Sequence, residues 1–250
     1  MKILKKLMQK ALEKAKGLKV EDFVVGMGLV GVKLSDGSAG VAYNLRSDLL
    51  GQCEEFSTTE GGYRLLLEPG MKAEDFIRAF ESTNPIAKGL ALATMNAIFN
   101  RGDFQEGDLL EYLEVKPGER VGMIGEIGPM ILSLMENGNE VLVFERNPKR
   151  GELPDWAITT HLEGCDVVII SASSIVNWTI EWILDYVKTD RVAIVGPSAP
   201  LVEGVFPVRV IGGAVILDPD RMIKELSRAY GTSGIYRTKL AKKVNLVLRG

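Results

Sequence analysis

The second half of the chain alternates short apolar runs with stretches of helical character. The runs are RVGMIG (120–125), EVLVFE (140–145), DVVIISAS (166–173), RVAIVG (191–196) and VRVIGGAVI (208–216). Continuous apolar runs of this kind are typical of strands buried on both faces of a parallel sheet. Their alternation with helices predicts an α/β fold with a mainly parallel, doubly wound sheet.

The first half of the chain shows a different pattern, in which a helix precedes strands that pair locally. Residues Met1 to Lys16 place apolar side chains on one helical face and lysines around the rest. This predicts an amphipathic helix docked on the core, with binding to a membrane surface as the alternative. The runs DFVVGMGLVGVKL and SAGVAYNL flank Asp36-Gly37, a dipeptide typical of hairpin turns. Helical patterns over Ala73–Glu81 and Pro85–Phe99 complete a small α+β domain.

The change of pattern falls near Lys116, where Pro117-Gly118 predicts a turn. We therefore expect one domain over residues 1–116 and a second over residues 117–250. Within the second domain, Asp218-Pro219-Asp220 is typical of a helix start, and we expect this helix to end near Gly231. The remainder, SGIYRTKLAKKVNLVLRG, is a basic tail to which the sequence assigns no structure.

Composition excludes several classes of function. Of the 250 residues, 46% are hydrophobic and 25% are charged, which is ordinary for a globular protein. A formal charge of −3 provides no basic field for a phosphate backbone, so we expect no nucleic-acid partner. No apolar run approaches the roughly 18 residues of a membrane span, and no signal-peptide pattern is evident. We therefore expect a cytoplasmic protein without a membrane partner.

Soft metal ligands are too few for a clustered metal site. The cysteines are Cys53 and Cys165, and the one histidine is His161. These residues form no CxxC, HExxH or comparable spacing, so we expect no metal site of this kind. A Ser-His-Asp triad is not expected either, because His161 lies in a predicted helix away from Ser198 in sequence. Both cysteines are expected to be small buried apolar residues.

Small and polar residues follow four of the predicted strands. In an open parallel sheet, ligands bind beyond the carboxyl ends of the strands, so these positions predict a binding crevice. Glycine at the first strand end lets the backbone approach a ligand, and an acidic residue about 20 positions later can accept hydrogen bonds from a ribose diol. The candidate ligand-binding residues from these strand ends are Gly125, Glu145, Ser173, Asn177, Thr179 and Ser198.

Each of these signals also has a structural explanation that needs no ligand. Gly122, Gly125 and Gly128 depart from the GxGxxG spacing of dinucleotide sites and fit a tight βα turn equally well. Glu145 can pair with neighbouring basic residues, and the hydroxyl groups after the third strand can cap a helix. The sequence leaves these alternatives open.

Several segments of the chain, taken in order, resemble one known family. They are VGMIG, VFERNPKRGELPD, the NWT step after the serine-rich strand end, and GPSAP followed by a double glycine. Together they resemble the heavy-metal chelation family, domain of unknown function 364. The upstream hairpin and STNPIAKGLALATMNA resemble its companion N-terminal domain. The resemblance implies an enolase N-terminal-like α+β domain followed by a Rossmann-like domain, the latter partly similar to methyltransferases.

The resemblance also implies a composite site, in which the first domain closes over the crevice of the second. By motif it points to Glu145, Asn177, Thr179 and Ser198, and it adds Asn84 and Asn96 from the helical segment. Asn84 is otherwise explained as a helix N-cap, and Asn96 as an amide that bonds within its own domain. Glu126 departs from the family pattern, which more often has an aromatic residue there, so the ligand can differ.

The resemblance implies a small-molecule ligand of pterin, flavin or siderophore type. One hypothesis is an enzyme that condenses or hydrolyses such a metabolite in the interdomain cleft. The other is a binding protein for the metabolite or its metal complex. Weaker hypotheses are a methyltransferase-like enzyme and an NAD-dependent enzyme. The glycine spacing argues against the NAD-dependent enzyme, because it is wrong for a standard pyrophosphate site. The sequence identifies no cofactor and is compatible with a homo-oligomer.

Overall fold

The computed structural model describes residues 2–45, 58–60, 63–65, 67–149 and 151–248. Within these ranges the chain adopts a mixed α/β fold, with a small antiparallel sheet, a larger and mostly parallel sheet, and a two-stranded ladder. Cys53, which the sequence predicts to be buried, lies outside the described residues. No helix in the described ranges is both long enough and apolar enough to cross a bilayer.

The N-terminal half packs three helices around the antiparallel sheet. Its elements are α1 (Lys2–Lys14), β1 (Val20–Val25), β2 (Leu29–Leu34), β3 (Ala39–Tyr43), β4 (Thr58–Glu60), β5 (Tyr63–Leu65), α2 (Ala73–Arg78), the 3₁₀ helix Ala79–Glu81 and α3 (Pro85–Phe99). Strands β1, β2 and β3 lie side by side, and β4 pairs with β5. The turn at Asp36-Gly37 joins β2 to β3, and Gly37 has the positive φ of 81° that such turns favour.

Two close backbone approaches explain glycines in this sheet. The run DFVVGMGLVGVKL forms two strands because the chain turns between Gly26 and Gly28, where a Cβ on Gly26 would lie 2.5 Å from the carbonyl oxygen of Leu226. On β3, a Cβ on Gly40 would lie 2.3 Å from backbone atoms of α3. Helix α3 therefore packs directly on the backbone of β3, which a larger residue would prevent.

The C-terminal half forms the larger sheet. Its elements are α4 (Leu109–Tyr112), β6 (Arg120–Ile124), α5 (Gly128–Glu136), β7 (Glu140–Glu145), β8 (Leu153–Pro154), the 3₁₀ helix Asp155–Ala157, α6 (Ile158–His161), the 3₁₀ helix Leu162–Gly164, β9 (Val167–Ser171), α7 (Ser173–Val176), α8 (Ile180–Asp185), β10 (Val192–Val195), β11 (Val210–Ile216), α9 (Pro219–Leu226), α10 (Thr232–Arg237) and β12 (Ala241–Val247). In the described chain the strand order is β12-β11-β10-β9-β6-β7-β8. The predicted mainly parallel sheet is therefore confirmed.

The order of the strands fixes where a ligand can bind. Strand β6 lies between β7 and β9 and is parallel to both, so the chain passes to one side of β6 for β7 and to the other side for β9. At such a reversal the loops that leave neighbouring strands diverge and open a crevice at the carboxyl edge of the sheet. The crevice predicted from the strand ends falls at this edge.

The end of the chain differs from the sequence-based expectation. The helix that begins after Asp218 ends at Leu226 and not near Gly231, and Ala229 follows it with a positive φ of 66°. The basic tail is ordered, because its residues form α10 and then β12, which pairs antiparallel with β11. The consecutive residues Lys242 and Lys243 on β12 are both exposed, so the strand is open to solvent on both faces there, and lysines are typical of a sheet edge.

The hydrophobic core is shared between the two halves. One cluster of buried side chains runs from α1, α2 and α3 into the face of the larger sheet that includes Ile124, Phe144 and Ile170. The opposite face of that sheet is covered by α4 and α5 through Leu109 and Leu134. The halves thus meet across an apolar surface. Polar side chains are required there only where buried backbone groups lack another hydrogen-bond partner.

Asn100 satisfies three backbone groups at this contact. Its Nδ2 donates to the carbonyl oxygens of Ala199 at 2.9 Å and Ala214 at 3.2 Å, and its Oδ1 accepts from the Leu201 N–H at 2.7 Å. The side chain is 3% exposed, so water cannot readily replace these bonds. Asn100 therefore fixes the loop after β10 to the end of α3.

Asn96 and Ser198 make further bonds of this type. Asn96 Nδ2 donates to the Val41 carbonyl at 2.8 Å and, more weakly, to the Pro197 carbonyl at 3.4 Å. Ser198 Oγ accepts from the Tyr43 N–H at 2.7 Å. The Oδ1 atom of Asn96 is buried and has no hydrogen-bond partner. Both side chains thus join β3 and α3 to the loop after β10.

We expect Asn100→Ala to lower the free energy of unfolding by about 3 kcal/mol, because it leaves three buried backbone groups unpaired. Asn96→Ala should cost less, about 1–2 kcal/mol, since the unpartnered Oδ1 is lost together with the two bonds. Urea denaturation measures both values. Gln9→Ala on the exposed face of α1 is the control, expected to change stability by at most about 0.5 kcal/mol. Equal losses for the two asparagine variants would contradict this account.

Candidate functional site

A cleft of about 220 Å³ opens at the carboxyl ends of β6, β7 and β9. Its apolar lining consists of Leu45, Ile124, Phe144, Ile158 and Ile183. Leu45, which follows β3, belongs to the N-terminal half. The predicted residues Gly125, Glu145, Ser173, Asn177 and Thr179 all line this cleft. The structure therefore brings five of the eight candidate residues together.

Gly125 forms the tight turn after β6. Its φ of 87° lies in the left-handed region, and its N–H donates to the carbonyl oxygen of Phe144 at 2.9 Å. A Cβ at this position would lie 2.8 Å from the Cβ of Ser171, so the turn also packs closely against β9. Both requirements select glycine and leave the backbone of the turn open to the cleft.

Glu145 lines the cleft, but its carboxylate also braces the turn. Oε1 accepts from the Glu126 N–H at 2.6 Å, and Oε2 accepts from the Arg146 N–H at 3.2 Å. Each oxygen therefore has a backbone donor already in place. The expected recognition of a ribose diol by Glu145 would have to use the lone pairs that these bonds leave free.

The start of α5 is poorly suited to a pyrophosphate. Pro129 has no N–H, and the N–H groups of Met130 and Ile131 donate to the carbonyl of Ile127. Glu126 adds an exposed carboxylate beside the same turn. Phosphate-binding turns offer free N–H groups and a positive field, and this one provides little of either. The geometry gives no support to the NAD-dependent hypothesis.

The serine-rich end of β9 forms one wall of the cleft. Ser171 Oγ and Ser173 Oγ lie 3.0 Å apart, within hydrogen-bond distance, and Ser174 Oγ donates to the carbonyl of Ser171 at 2.7 Å. Ser174 thus closes the turn into α7, while Ser173 keeps its hydroxyl at the cleft surface. Of these three serines, Ser174 uses its hydroxyl to hold the backbone, while Ser173 offers its hydroxyl to a ligand.

Asn177 and Thr179 are held together at the next corner of the cleft. Asn177 Oδ1 accepts from the Thr179 N–H at 3.1 Å and from the Thr179 hydroxyl at 2.7 Å. Because a backbone N–H can only donate, the oxygen of the Asn177 amide is the atom that faces Thr179. The amide nitrogen of Asn177 and the hydroxyl oxygen of Thr179 therefore remain for a ligand.

Between these two residues, Trp178 adopts a strained backbone. Its φ of 65° lies in the left-handed region, at a cost of about 1–3 kcal/mol for a bulky residue. Its ring packs against that of Phe80, with centroids 5.5 Å apart, and Lys88 Nζ lies 4.3 Å from the ring centroid. Ring pairs contribute about 0.5–1.5 kcal/mol and cation–π contacts about 0.5–2 kcal/mol. These contacts are large enough to offset the strain.

The outer wall of the cleft contains residues that the sequence analysis did not select. Trp182 on α8 is 37% exposed, lines the cleft and packs edge-on against Tyr186, with centroids 5.6 Å apart. Arg146, Asn147 and Asp155 add charged and polar groups to the lining. These last three lie in VFERNPKRGELPD, the segment that carried part of the family resemblance, whereas no sequence signal distinguished Trp182.

Three candidate residues are not among those that line the cleft. Asn84 is the N-cap of α3, and its Oδ1 accepts from the Ile86 and Ala87 N–H groups at 2.9 and 3.3 Å. Asn96 and Ser198 are fully buried and bond to backbone groups at the contact between the halves. The structure thus gives these three side chains partners within the protein and does not place them at the cleft.

The described residues do not fit direct coordination of a heavy metal. No group of three or more His, Cys, Asp or Glu side chains in the described ranges is arranged to hold an ion. Cys165 is 5% exposed, and burial raises the pKa of its thiol to about 11. At neutral pH it is a protonated, buried thiol and not a thiolate ligand. His161 lies on α6, four positions before Cys165 in the chain, and its Nδ1 contacts Thr160 and Ala157.

Fold and cleft define a mixed α/β protein with a cleft of about 220 Å³ at the carboxyl edge of a mostly parallel sheet. Family models give the particular identification: one matches residues 108–245 and is described as "Putative heavy-metal chelation", DUF364. A second, DUF4213, carries the same description and matches residues 8–99. The chain belongs to the DUF364 family, as its segments predicted.

Two solved structures and one further sequence are similar to this chain over nearly its whole length. A DUF364 structure from Pyrococcus horikoshii is 26% identical, with a TM-score of 0.80, and the match covers 98% of this chain and 100% of that one. One from Desulfitobacterium hafniense is 22% identical, with a TM-score of 0.78 and 98% of each chain covered. An uncharacterized protein of Methanocaldococcus jannaschii is 26% identical over 248 residues, covering 91% of this chain and 92% of that protein. The two solved structures show that this fold is shared, while membership of the family rests on the model that matches residues 108–245.

Replacing Gly125 tests the turn that forms the cleft. We expect Gly125→Ala to lower the free energy of unfolding by about 2–4 kcal/mol, from left-handed strain together with overpacking against Ser171. Gly128→Ala is the matched control, because a Cβ there has no atom within 4 Å and the residue begins a helix. Its effect on stability should be within about 0.5 kcal/mol. Urea denaturation measures both values, and similar losses at the two glycines would show that the turn does not require glycine at position 125.

Proposed function

We propose that this protein binds a compact planar metabolite of heterocyclic or chelator-like type in the cleft at the carboxyl edge of the larger sheet. The observation that carries the proposal is the composition of the cleft, in which an apolar floor is combined with hydrogen-bonding walls and an exposed indole. Aromatic walls favour stacking of flat rings, and a few placed polar groups select their orientation.

The size of the cleft limits the ligand. Sites for drug-sized molecules occupy about 300–1,000 Å³, whereas this cleft has about 220 Å³. A single pterin or a catechol ring of a siderophore suits that volume, and a flavin would have to leave its side chain outside. A whole dinucleotide is too large, in agreement with the absence of a suitable phosphate-binding turn at Gly125.

The family description refers to heavy metals, and we propose that a metal would enter as a complex with the small ligand. The described Cys and His side chains supply no soft-ligand cluster, so coordination would come from the metabolite. Arg146 and the Asn177 amide can both donate to the anionic or carbonyl oxygens that chelators carry. In this proposal the protein recognises the chelator's oxygens and contributes no metal ligand.

Catalysis on the same metabolite is the second candidate function. Asp155 provides a carboxylate in the cleft wall that does not take part in the Gly125 turn, unlike Glu145. A carboxylate in that position could act as a general base or acid in a condensation or hydrolysis. Asp155→Asn would separate the two functions, because turnover of a bound metabolite should be lost while its binding persists.

We also propose the finer structural assignments that accompany this function. The strand reversal beside β6 supports a Rossmann-like domain after a boundary near Lys116, and the hairpin with its helices supports an enolase N-terminal-like domain before it. Leu45 supports a composite cleft, because it reaches the lining from the first half. The ligand would accordingly contact both halves.

Thermal-shift measurements with neopterin, 2,3-dihydroxybenzoate, riboflavin, S-adenosylmethionine and NAD test the proposal. A ligand present at 100 times its Kd stabilises the protein by about 2.7 kcal/mol, which should raise the Tm by roughly 5–10 °C. We expect neopterin or 2,3-dihydroxybenzoate to give such a shift and NAD to give none.

Two tryptophan variants control for the location of binding. Trp182→Ala should weaken binding of the active compound about tenfold or more, equivalent to about 1.4 kcal/mol. Trp156→Ala should leave affinity unchanged, because Trp156 is 70% exposed and does not belong to the cleft lining. A panel in which no heterocycle or chelator raises the Tm, or in which both variants weaken binding equally, would remove the basis of the proposal.

A further inference from the structure

Trp178 has a left-handed backbone conformation, and the turn in which it lies does not itself require a tryptophan. In the described chain, positive φ values at residues other than glycine also occur at Glu114, Ala229 and Lys239, each exposed and each just beyond a helix. Trp178 follows α7 in the same way but is half-buried. Glycine would form this turn without strain. A large ring where glycine would be unstrained therefore points to a use for the side chain.

That use lies in the faces of the ring and not in its polar atom. The indole Nε1 is buried and has no hydrogen-bond partner. One contact of the ring is Phe80, which is 1% exposed in the core of the N-terminal half, and another is the ammonium group of Lys88 on α3. Both contacts come from the first half of the chain, whereas the turn belongs to the second. The ring thus fixes the turn against the opposite half.

The residues on either side of Trp178 are the ones that the turn presents to the cleft. Asn177 and Thr179 both line it, and the two bonds from Thr179 to Asn177 Oδ1 fix their relative orientation. With Trp178 in an ordinary helical conformation, the peptide units on its two sides would rotate and these side chains would no longer share one wall. The left-handed backbone at Trp178 is thus a condition of the present cleft surface.

We infer that Trp178 is a positioning residue of the cleft, through which Phe80 and Lys88 in the N-terminal half set the orientation of Asn177 and Thr179. The inference rests on the proposed function of the cleft as a ligand site. The orientation of Asn177 and Thr179 also determines which ligand groups can bind at this corner. Such a ligand must accept a hydrogen bond from the Asn177 amide nitrogen and can donate one to the Thr179 hydroxyl oxygen. A ring carbonyl beside an N–H or O–H group has this pattern.

Hydrogen exchange of the Thr179 amide tests positioning without any ligand. This N–H donates to Asn177 Oδ1, so its protection reports whether the corner is held in place. We expect Trp178→Gly to increase its exchange rate about tenfold or more, while amides of β6 exchange as in the wild type. Trp178→Phe retains a ring against Phe80 and Lys88 and should restore protection to within about threefold of wild type.

Two further variants separate the ring contacts from backbone effects. Ala229→Gly places glycine at another left-handed position and should not change exchange at Thr179. Lys88→Gln should increase that exchange and Lys88→Arg should restore it, because arginine also stacks on aromatic rings. Unchanged exchange at Thr179 in Trp178→Gly would overturn the inference, as would an equal increase at Thr179 and throughout β6, which would indicate only a loss of stability.

A titration with neopterin connects the corner to ligand binding. Trp178→Gly should weaken its affinity about tenfold, and Trp178→Phe should bind within about threefold of wild type. Equal affinity of all three proteins for neopterin would overturn the role in ligand positioning. Failure of the wild type to bind neopterin, with the expected exchange pattern intact, would count against the proposed function, while the exchange result would uphold the role of Trp178 in holding the corner.

Discussion

Backbone groups that are buried where the two halves meet must find hydrogen-bond partners within the protein, and the remaining architecture depends on how this is achieved. The surface between the halves is largely apolar, so a few polar side chains have to satisfy the loop after β10. Asn100 bonds to two backbone groups of this loop and one of β11, and Asn96 bonds to one of the loop and one of β3, while Ser198 pairs with the N–H of Tyr43. The position of β3, and with it Leu45 at the cleft, follows from these bonds.

The loops around the cleft are also held by side chains that bond to backbone N–H groups. Glu145 occupies the N–H of Glu126 in the turn after β6 and that of Arg146 after β7, and Asn177 occupies the N–H of Thr179. Side chains that the sequence presents as free ligand contacts are therefore partly committed to holding loops. What remains for a ligand is a more restricted set of donors, acceptors and ring faces, which explains why the proposed ligand is small and flat.

Much of the fold follows from the sequence because its signals are local. The five apolar runs of the second half are strands, since buried parallel strands need continuous apolar residues. Local signals also predict the hairpin at Asp36-Gly37 and helix α3. Strand β12 is missed because an edge strand keeps Lys242 and Lys243 in solvent and so lacks a continuous apolar run. Its place in the sheet is set by pairing with β11, which no local pattern encodes.

The cleft is less predictable, for a related reason. Strand-end residues such as Gly125 and Ser173 reach it because the sheet topology places them there. Asn96 and Ser198 have the same polar character in sequence, yet their partners are buried backbone groups. Composition alone cannot distinguish an amide that serves a ligand from one that serves a distant loop. Trp182 is missed because an aromatic residue in a helix is most often core.

The antiparallel pairing of β12 with β11 also has a consequence for how the protein is made. Until Ala241–Val247 has left the ribosome, β11 has an open edge, although the residues that form β6, β7, β9 and β10 have already been synthesised. The bridge between Gln105 and Asn245 likewise joins a residue from the middle of the chain to one that emerges much later. Closure of this edge thus follows the synthesis of the parallel strands, and a nascent chain paused before residue 241 would expose a strand edge to which other chains could pair.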